Sequence, residues 1–181
     1  KTSRVILGVL LIALTALAWS QAPLPARIAY IGPGSAATHA NQLSAFRDGM
    51  RENGLVEGKH FVLDERYAEG NYDRFPALTD ELLKRNPAII LVNTIASVRA
   101  AQQATKTIPI LFVSTNDPVG SGLVASLARP GGNTTGLSNQ SEDIVAKNLE
   151  ILREALPRVS RVAVLVNPDN PSHLKLFQAA R

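Results

Sequence analysis

Residues 108–138 read IPILFVSTNDPVGSGLVASLARPGGNTTGLS. The apolar run Ile108 to Val113 stops abruptly in Ser114, Thr115, Asn116 and Asp117. A short apolar run bounded by turn residues is the signature of a strand buried on both faces. Pro118 then opens a stretch whose apolar spacing predicts a short helix over 119–128. Pro130-Gly131-Gly132 breaks that stretch, and Thr134 to Leu137 predicts a further short strand. Polar residues gathered where a buried strand ends are what an open α/β sheet offers a ligand, since such sheets bind ligands beyond the carboxyl ends of their strands.

Working outward, the same cadence repeats. Strands are predicted at Arg27–Ile31, His60–Tyr67 and Ala88–Val92, beside those at Ile108–Val113 and Thr134–Leu137. Helices are predicted at Thr38–Asn53, with Leu43, Phe46 and Met50 on one face and Gly54 as its stop, at Asp73–Arg85, and at 95–105. Asn86-Pro87 ends the second of these, because the residue before a proline is driven out of the helical region. Alternating strands and helices predict an α/β fold, a doubly wound parallel sheet with helices on both faces. Beyond Ser138 the pattern predicts a helix at Ser141–Leu156, a sixth strand at Val162–Val166, a loop at Asn167–Pro171 and a helix from Ser172 to Arg181. One strand and two helices cannot cover both faces of a parallel sheet. Residues 139–181 are therefore expected to begin a second, longer lobe, and 27–138 to form the first.

The N-terminus predicts export. Lys1 and Arg4 precede the apolar stretch Val5 to Ala18, and small residues around Ala18 and Ala22 offer cleavage sites, so 1–26 reads as a signal peptide. The alternative is an uncleaved anchor, against which stands an apolar run shorter than the about 20 residues a span needs. The sequence has no cysteine, which argues against a lipoprotein and excludes disulfides, metal thiolates and a cysteine nucleophile. Of 19 basic residues, Lys1 and Arg4 fall in the leader, leaving 17 against 15 acidic ones. So even a balance does not supply the clustered basic patch that nucleic acid calls for.

Enzyme readings find little support. Gly32-x-Gly34-x-x-Ala37 matches the dinucleotide fingerprint in letters only. The helix core is expected to start late, and the second strand ends at Arg66-Tyr67 rather than in a ribose-binding acid. Ser35 lacks a G-x-S-x-G elbow. His39, His60 and His173 show no ligand spacing, so neither a metal nor another cofactor is expected.

Several segments carry a resemblance. DPVGSGLVASLARPGGN (117–133) followed by TGLS (135–138), the helix end FRDGMRENGLVEGK (46–59) and RYAEGNYDR (66–74) together resemble the ABC-transporter substrate-binding proteins, the group with tryptophan- and phenylalanine-binding members. The resemblance covers the chain from about Arg27 onward. It implies a type I periplasmic-binding-protein fold with a ligand cleft between two lobes. It implies a periplasmic protein that delivers a small-molecule ligand, an amino acid above all, to an ABC permease with a cytoplasmic ATPase, and that meets the membrane only through that permease. A ligand-sensing domain of the same fold is the alternative.

Within the first lobe, candidate ligand residues follow the strands. Ser35 and Thr38 come after the first strand, and Asn93 and Thr94 after the third. Each pair either faces a ligand at a helix N-terminus, where free N–H groups favour an anion, or caps the helix. Thr115 and Asp117 follow the fourth strand. Asp117 either pairs with a ligand ammonium or initiates an Asp-Pro turn. Ser138 and Asn139, at the expected crossing between lobes, serve as hinge, cleft or cap residues. Tyr72 either closes over a ligand ring or packs in its loop.

Overall fold

The computed structural model describes residues 24–139, 141–168 and 177. Residues 1–23 of the expected leader and most of the helix expected at 172–181 lie outside them, and Ala26, the last residue of that leader, is the first of β1. Strands β1 (Ala26–Gly32), β2 (Phe61–Tyr67), β3 (Ile89–Val92), β4 (Ile110–Asn116) and β5 (Thr134–Asn139) form one sheet. Their order is β2-β1-β3-β4-β5 and every pairing is parallel. Helices α1 (Ala36–Glu52), α2 (Phe75–Leu83) and α3 (Ile95–Ala104) make the crossovers between the first four strands, and α4 (Ser141–Ala155) follows β5. Expected boundaries hold to within a few residues. The main exceptions are β4, which runs on through Ser114–Asn116, and α2, whose first turn, Tyr72–Arg74, is a 3₁₀ turn.

The two faces of the sheet are filled differently. Phe75, Leu78 and Leu82 of α2, with Ile95, Val98 and Ala101 of α3, pack on Ala29, Ile31, Ile90, Val92, Ile110 and Phe112. On the other face Leu43, Phe46 and Met50 of α1 pack on Ile28, Tyr30, Phe61 and Leu91. This alternation explains why β1 and β3 read as unbroken apolar runs: successive side chains point to opposite faces, and both faces are covered there.

Helix α1 ends as expected at Asn53-Gly54. Gly54, at φ +77°, donates to the Arg51 carbonyl and Leu55 N–H to that of Met50. This is a Schellman closure, for which the left-handed residue is best a glycine.

Two expected elements are absent. Residues 119–128 form turns instead of a helix. Gly120 and Gly122 each disfavour a helix by about 1 kcal/mol, and Gly122 sits at φ +70°. Leu123 and Val124 are nonetheless buried in the α2–α3 core. Gln102 Nε2 donates to the Leu123 carbonyl and to Thr134 Oγ1, which fastens the loop to α3 and β5. Residues 161–167 have no strand pairing either, and Val162, Val164, Leu165 and Val166 are exposed. A strand is held by pairing with its neighbours, and none of the described strands pairs with this segment.

Candidate ligand site at the carboxyl edge of the sheet

Because all five strands run the same way, their carboxyl ends share one edge. The chain moves outward from β1 to β2 on the α1 face, then returns past β1 to β3 on the opposite face. The order therefore reverses between β1 and β3, and this is the switch point where doubly wound sheets open a crevice. Helix α1 enters on one side of it and α3 on the other. The loop after β1 is fixed from behind: Glu69 and Gly70 N–H groups donate to the Gly34 and Pro33 carbonyls. The RYAEGNYDR segment thus sets where α1 begins.

Both helices start with a capping box. Ser35 Oγ accepts from Thr38 N–H at 3.4 Å while Thr38 Oγ1 accepts from Ser35 N–H at 3.0 Å. Thr94 and Ser97 do the same at 3.1 Å in both directions. The box starts α1 at Ala36, two residues earlier than its apolar spacing indicates. Ser35, Thr38 and Thr94 therefore spend their side chains on the caps. What each helix still offers at the edge is backbone. The N–H groups of Ala36 and Ala37, and of Ile95 and Ala96, have no acceptor within their own helices.

The strand ends carry the distinctive feature. Asn93 Oδ1, Thr115 Oγ1, Asn116 Oδ1, Ser121 Oγ and Asn139 Oδ1 are buried and unpartnered. Four of these belong to the carboxyl ends of β3, β4 and β5, and Ser121 to the loop just after β4. Thr115 is only 2% exposed. Buried polar groups are ordinarily hydrogen-bonded, and each exception costs about 1–3 kcal/mol. Their concentration at one edge makes it a place that a polar ligand would complete.

Strain lies in the same segment. Ser114 and Asp117 sit at φ +61° and +37°, and β4 breaks register with β5 between Phe112 and Thr115. Non-glycine residues in such regions cost about 1–3 kcal/mol and gather at ligand sites. Asp117 Oδ1 accepts from Gly120 N–H at 2.8 Å, so this carboxylate shapes its own turn. A Cβ on Gly120 would collide with that carboxylate. Asn139 Nδ2 donates to Ser114 Oγ at 2.9 Å. Ser138 is exposed and its hydroxyl donates to the Asn139 carbonyl at 3.4 Å.

Below this edge, on the α1 face, an apolar groove of about 410 Å³ runs between Leu43 and Phe46 of α1 and Leu91, Leu111 and Val113 of the sheet. Tyr30, Asn93 and Ser114 also line it. Asn93 Nδ2 donates to Tyr30 Oη at 3.5 Å. Burial, reinforced by the Glu65 charge, raises the Tyr30 phenol to about 12, so it stays neutral at physiological pH. Tyr67 donates to Glu65 at 2.6 Å, and burial with that bond pushes its phenol upward too. Arg47 bridges Glu65 and Glu57, each at 2.6 Å.

The remaining candidates have structural partners. His39 is buried, with Nδ1 3.0 Å from the Ser35 carbonyl, and its ring packs at 5.7 Å from that of Tyr67. His60 Nδ1 accepts from Val56 N–H at 2.9 Å. Tyr72 packs on Phe75 with ring centroids 5.0 Å apart. No group of three or more His, Cys, Asp or Glu among the described residues could hold a metal ion.

The structure therefore brings Asn93, Thr115 and Asn139 to one edge with the start of α1, and adds Ser114, Asn116 and Ser121. The polar run STND signals the β4 members in sequence. Nothing local signals which of their atoms lack partners.

Known proteins are similar to this chain in sequence and fold. The family model for ABC transporter substrate binding proteins matches residues 31–179. A tyrosine-binding protein of Clostridioides difficile is 29% identical over 122 residues, which is 67% of this chain and 35% of that protein. A solved conserved domain protein of Vibrio cholerae is 31% identical with a TM-score of 0.77, over 86% of this chain and 52% of the other. A domain from Streptococcus pneumonia in complex with L-Trp shares the fold at a TM-score of 0.71 and 22% identity, over 86% and 53%. The chain spans about half the length of these solved structures. A parallel sheet with this switch-point edge is thus of the type I periplasmic-binding-protein kind, and with the family match covering most of its length the chain belongs to the ABC transporter substrate-binding proteins.

Proposed function

We propose that this chain forms the first lobe of the extracytoplasmic solute-binding component of an ABC importer. It binds a small metabolite, an amino acid above all, in a cleft closed by a second lobe, and delivers it to a permease with a cytoplasmic ATPase. The observation that carries this reading is the cluster of buried, unpartnered polar atoms at the carboxyl ends of β3, β4 and β5. An amino acid brings a carboxylate and an ammonium. The orphan N–H groups of α1 and α3 suit the first, because the positive ends of two helix dipoles meet at the switch point. The side-chain oxygens of Asn93, Thr115, Asn116 and Asn139 suit the second, with the negative charge of Asp117 close behind them in sequence. Two relatives support the ligand class: one is named for tyrosine and one was solved with L-Trp. Ser138 and Asn139, where β5 gives way to α4, form the crossing towards the second lobe, which starts at 139. Closure desolvates the charged contacts and strengthens them.

The test is calorimetric titration and thermal shift of the full-length protein against the twenty L-amino acids and a panel of sugars, nucleosides and purines. At least one amino acid should bind and raise the melting temperature. Binding of a sugar or purine with no response to any amino acid would overturn the ligand class.

A further inference from the structure

At the last rungs of the β4–β5 ladder, two residues of β4, Val113 and Ser114, stand against the single residue Leu137 of β5. This is a bulge, which bends a strand and re-aims the side chains that follow it. Its effect here is to bring Asn116 level with Asn139, its ladder partner. Neighbours on adjacent parallel strands share a face of the sheet, so the two amides lie side by side. The Oδ1 atom of each is buried without a partner.

Ser114 is the bulged residue at φ +61°. A glycine would adopt that conformation at less cost. The serine contributes a hydroxyl, and that hydroxyl accepts from Asn139 Nδ2 at 2.9 Å. One amide N–H held there sets the orientation of the group, and its oxygen is the unpartnered acceptor.

We propose that Ser114 is a positioning residue: through its hydroxyl it holds the Asn139 amide so that Oδ1, beside that of Asn116, forms a paired acceptor for the ligand's ammonium group. This rests on the amino-acid reading above and assigns the ammonium to the bulge end of the edge. The carboxylate lies at the other end, against α1 and α3. A paired amide acceptor discriminates by hydrogen-bond donors, so ligands lacking the amine should be indifferent to it.

The experiment uses the full-length protein with L-tyrosine and L-tryptophan as probes, and their desamino analogues 3-(4-hydroxyphenyl)propionate and indole-3-propionate as controls. Ser114→Gly removes the hydroxyl and relaxes the backbone; Ser114→Ala removes it with the Cβ kept. Both variants should bind the amino acids about 5- to 10-fold more weakly, in line with loss of one oriented hydrogen bond. Both should bind the desamino analogues as the wild type does. The melting temperature of Ser114→Gly should be equal to or above that of the wild type, which a merely structural serine would not give. Unchanged amino-acid affinity in a folded variant, or equal loss for probes and analogues, overturns the positioning role while leaving the amino-acid reading intact. Where the wild type prefers another of the twenty L-amino acids, that amino acid and its desamino analogue take the place of the probes; wild-type protein that binds none of the twenty overturns that reading and this inference together.

Discussion

Asp117 and Thr115 lie two residues apart and test different aspects of the edge. Asp117 combines a charge with a turn-forming hydrogen bond to Gly120. Asp117→Asn keeps an acceptor for that N–H and removes the charge; Asp117→Ala removes both. If the carboxylate contributes to ammonium recognition, Asp117→Asn should keep its melting temperature and bind an amino-acid ligand about tenfold more weakly, roughly 1.4 kcal/mol. Asp117→Ala should show the same loss together with a lower melting temperature. Wild-type affinity in the Asn variant would confine Asp117 to its turn. Thr115 is buried with its hydroxyl unpartnered, so the ligand-free protein carries a desolvation cost that valine, of the same shape, avoids. Thr115→Val should stabilise the ligand-free protein by about 1 kcal/mol and weaken ligand binding. Denaturant titration paired with calorimetry reads both effects, and a stabilised variant with unchanged affinity would remove Thr115 from the site.

At the level of elements, the edge strand β2 is held by ion pairs as well as by packing. Asp64 accepts from Arg27 at 2.6 Å and from Arg85 at 2.9 Å, tying β2 to β1 and to the end of α2, with a side chain only 13% exposed. Burial alone would raise its carboxyl, but the two guanidinium groups outweigh it and hold it below the ordinary range. A depressed folded value means the contribution to stability is present above the unfolded value, about 3.9. It is lost as pH falls through the lower folded one. Urea midpoints should accordingly drop below about pH 4. In Asp64→Asn the midpoint should be lower at pH 7 and fall less steeply over the acid range. An equally steep acid loss in that variant would assign the sensitivity to other carboxylates. Asp64 stands level with Ala29, three rungs back from the carboxyl end of the β1–β2 pairing at Gly32 and Tyr67, so affinity at pH 7 should be unaffected.

For the whole molecule, the sheet is asymmetric. The α2–α3 face is covered from β1 to β4, whereas among the described residues α1 is the helix packed on the other face, and it leaves the groove beside Leu91, Leu111 and Val113. With half the length of its solved relatives, this chain supplies one wall of the proposed cleft. The proposed route to the periplasm begins with the basic, apolar and small residues of 1–22. N-terminal sequencing of the exported protein should give a first residue after Ala18 and no later than Arg27. Exported material that still carries Lys1 would make the leader an anchor.

The sequence by itself determined the sheet and its edge. Ile28–Ile31, Ile89–Val92 and Ile110–Val113 are apolar on both faces, and with helices alternating between them that pattern is the one a covered parallel sheet produces. The capping boxes at Ser35 and Thr94 and the stop at Gly54 are equally local, since each involves side chains or backbone within a few residues. The motifs around Asp117, Phe46 and Arg66 were enough to indicate the family. The expected helix at 119–128 failed because apolar spacing says nothing about the turn that Asp117, Gly120 and Gly122 impose, and Leu123 and Val124 reach the core without it. Which polar atoms at the edge lack partners was decided only by tertiary structure. Thr115 and Asn116 look alike in sequence to any strand-end residues. Their burial, the bulge at Ser114 and the bond from Asn139 depend on how β4 and β5, 25 residues apart at that contact, lie against each other.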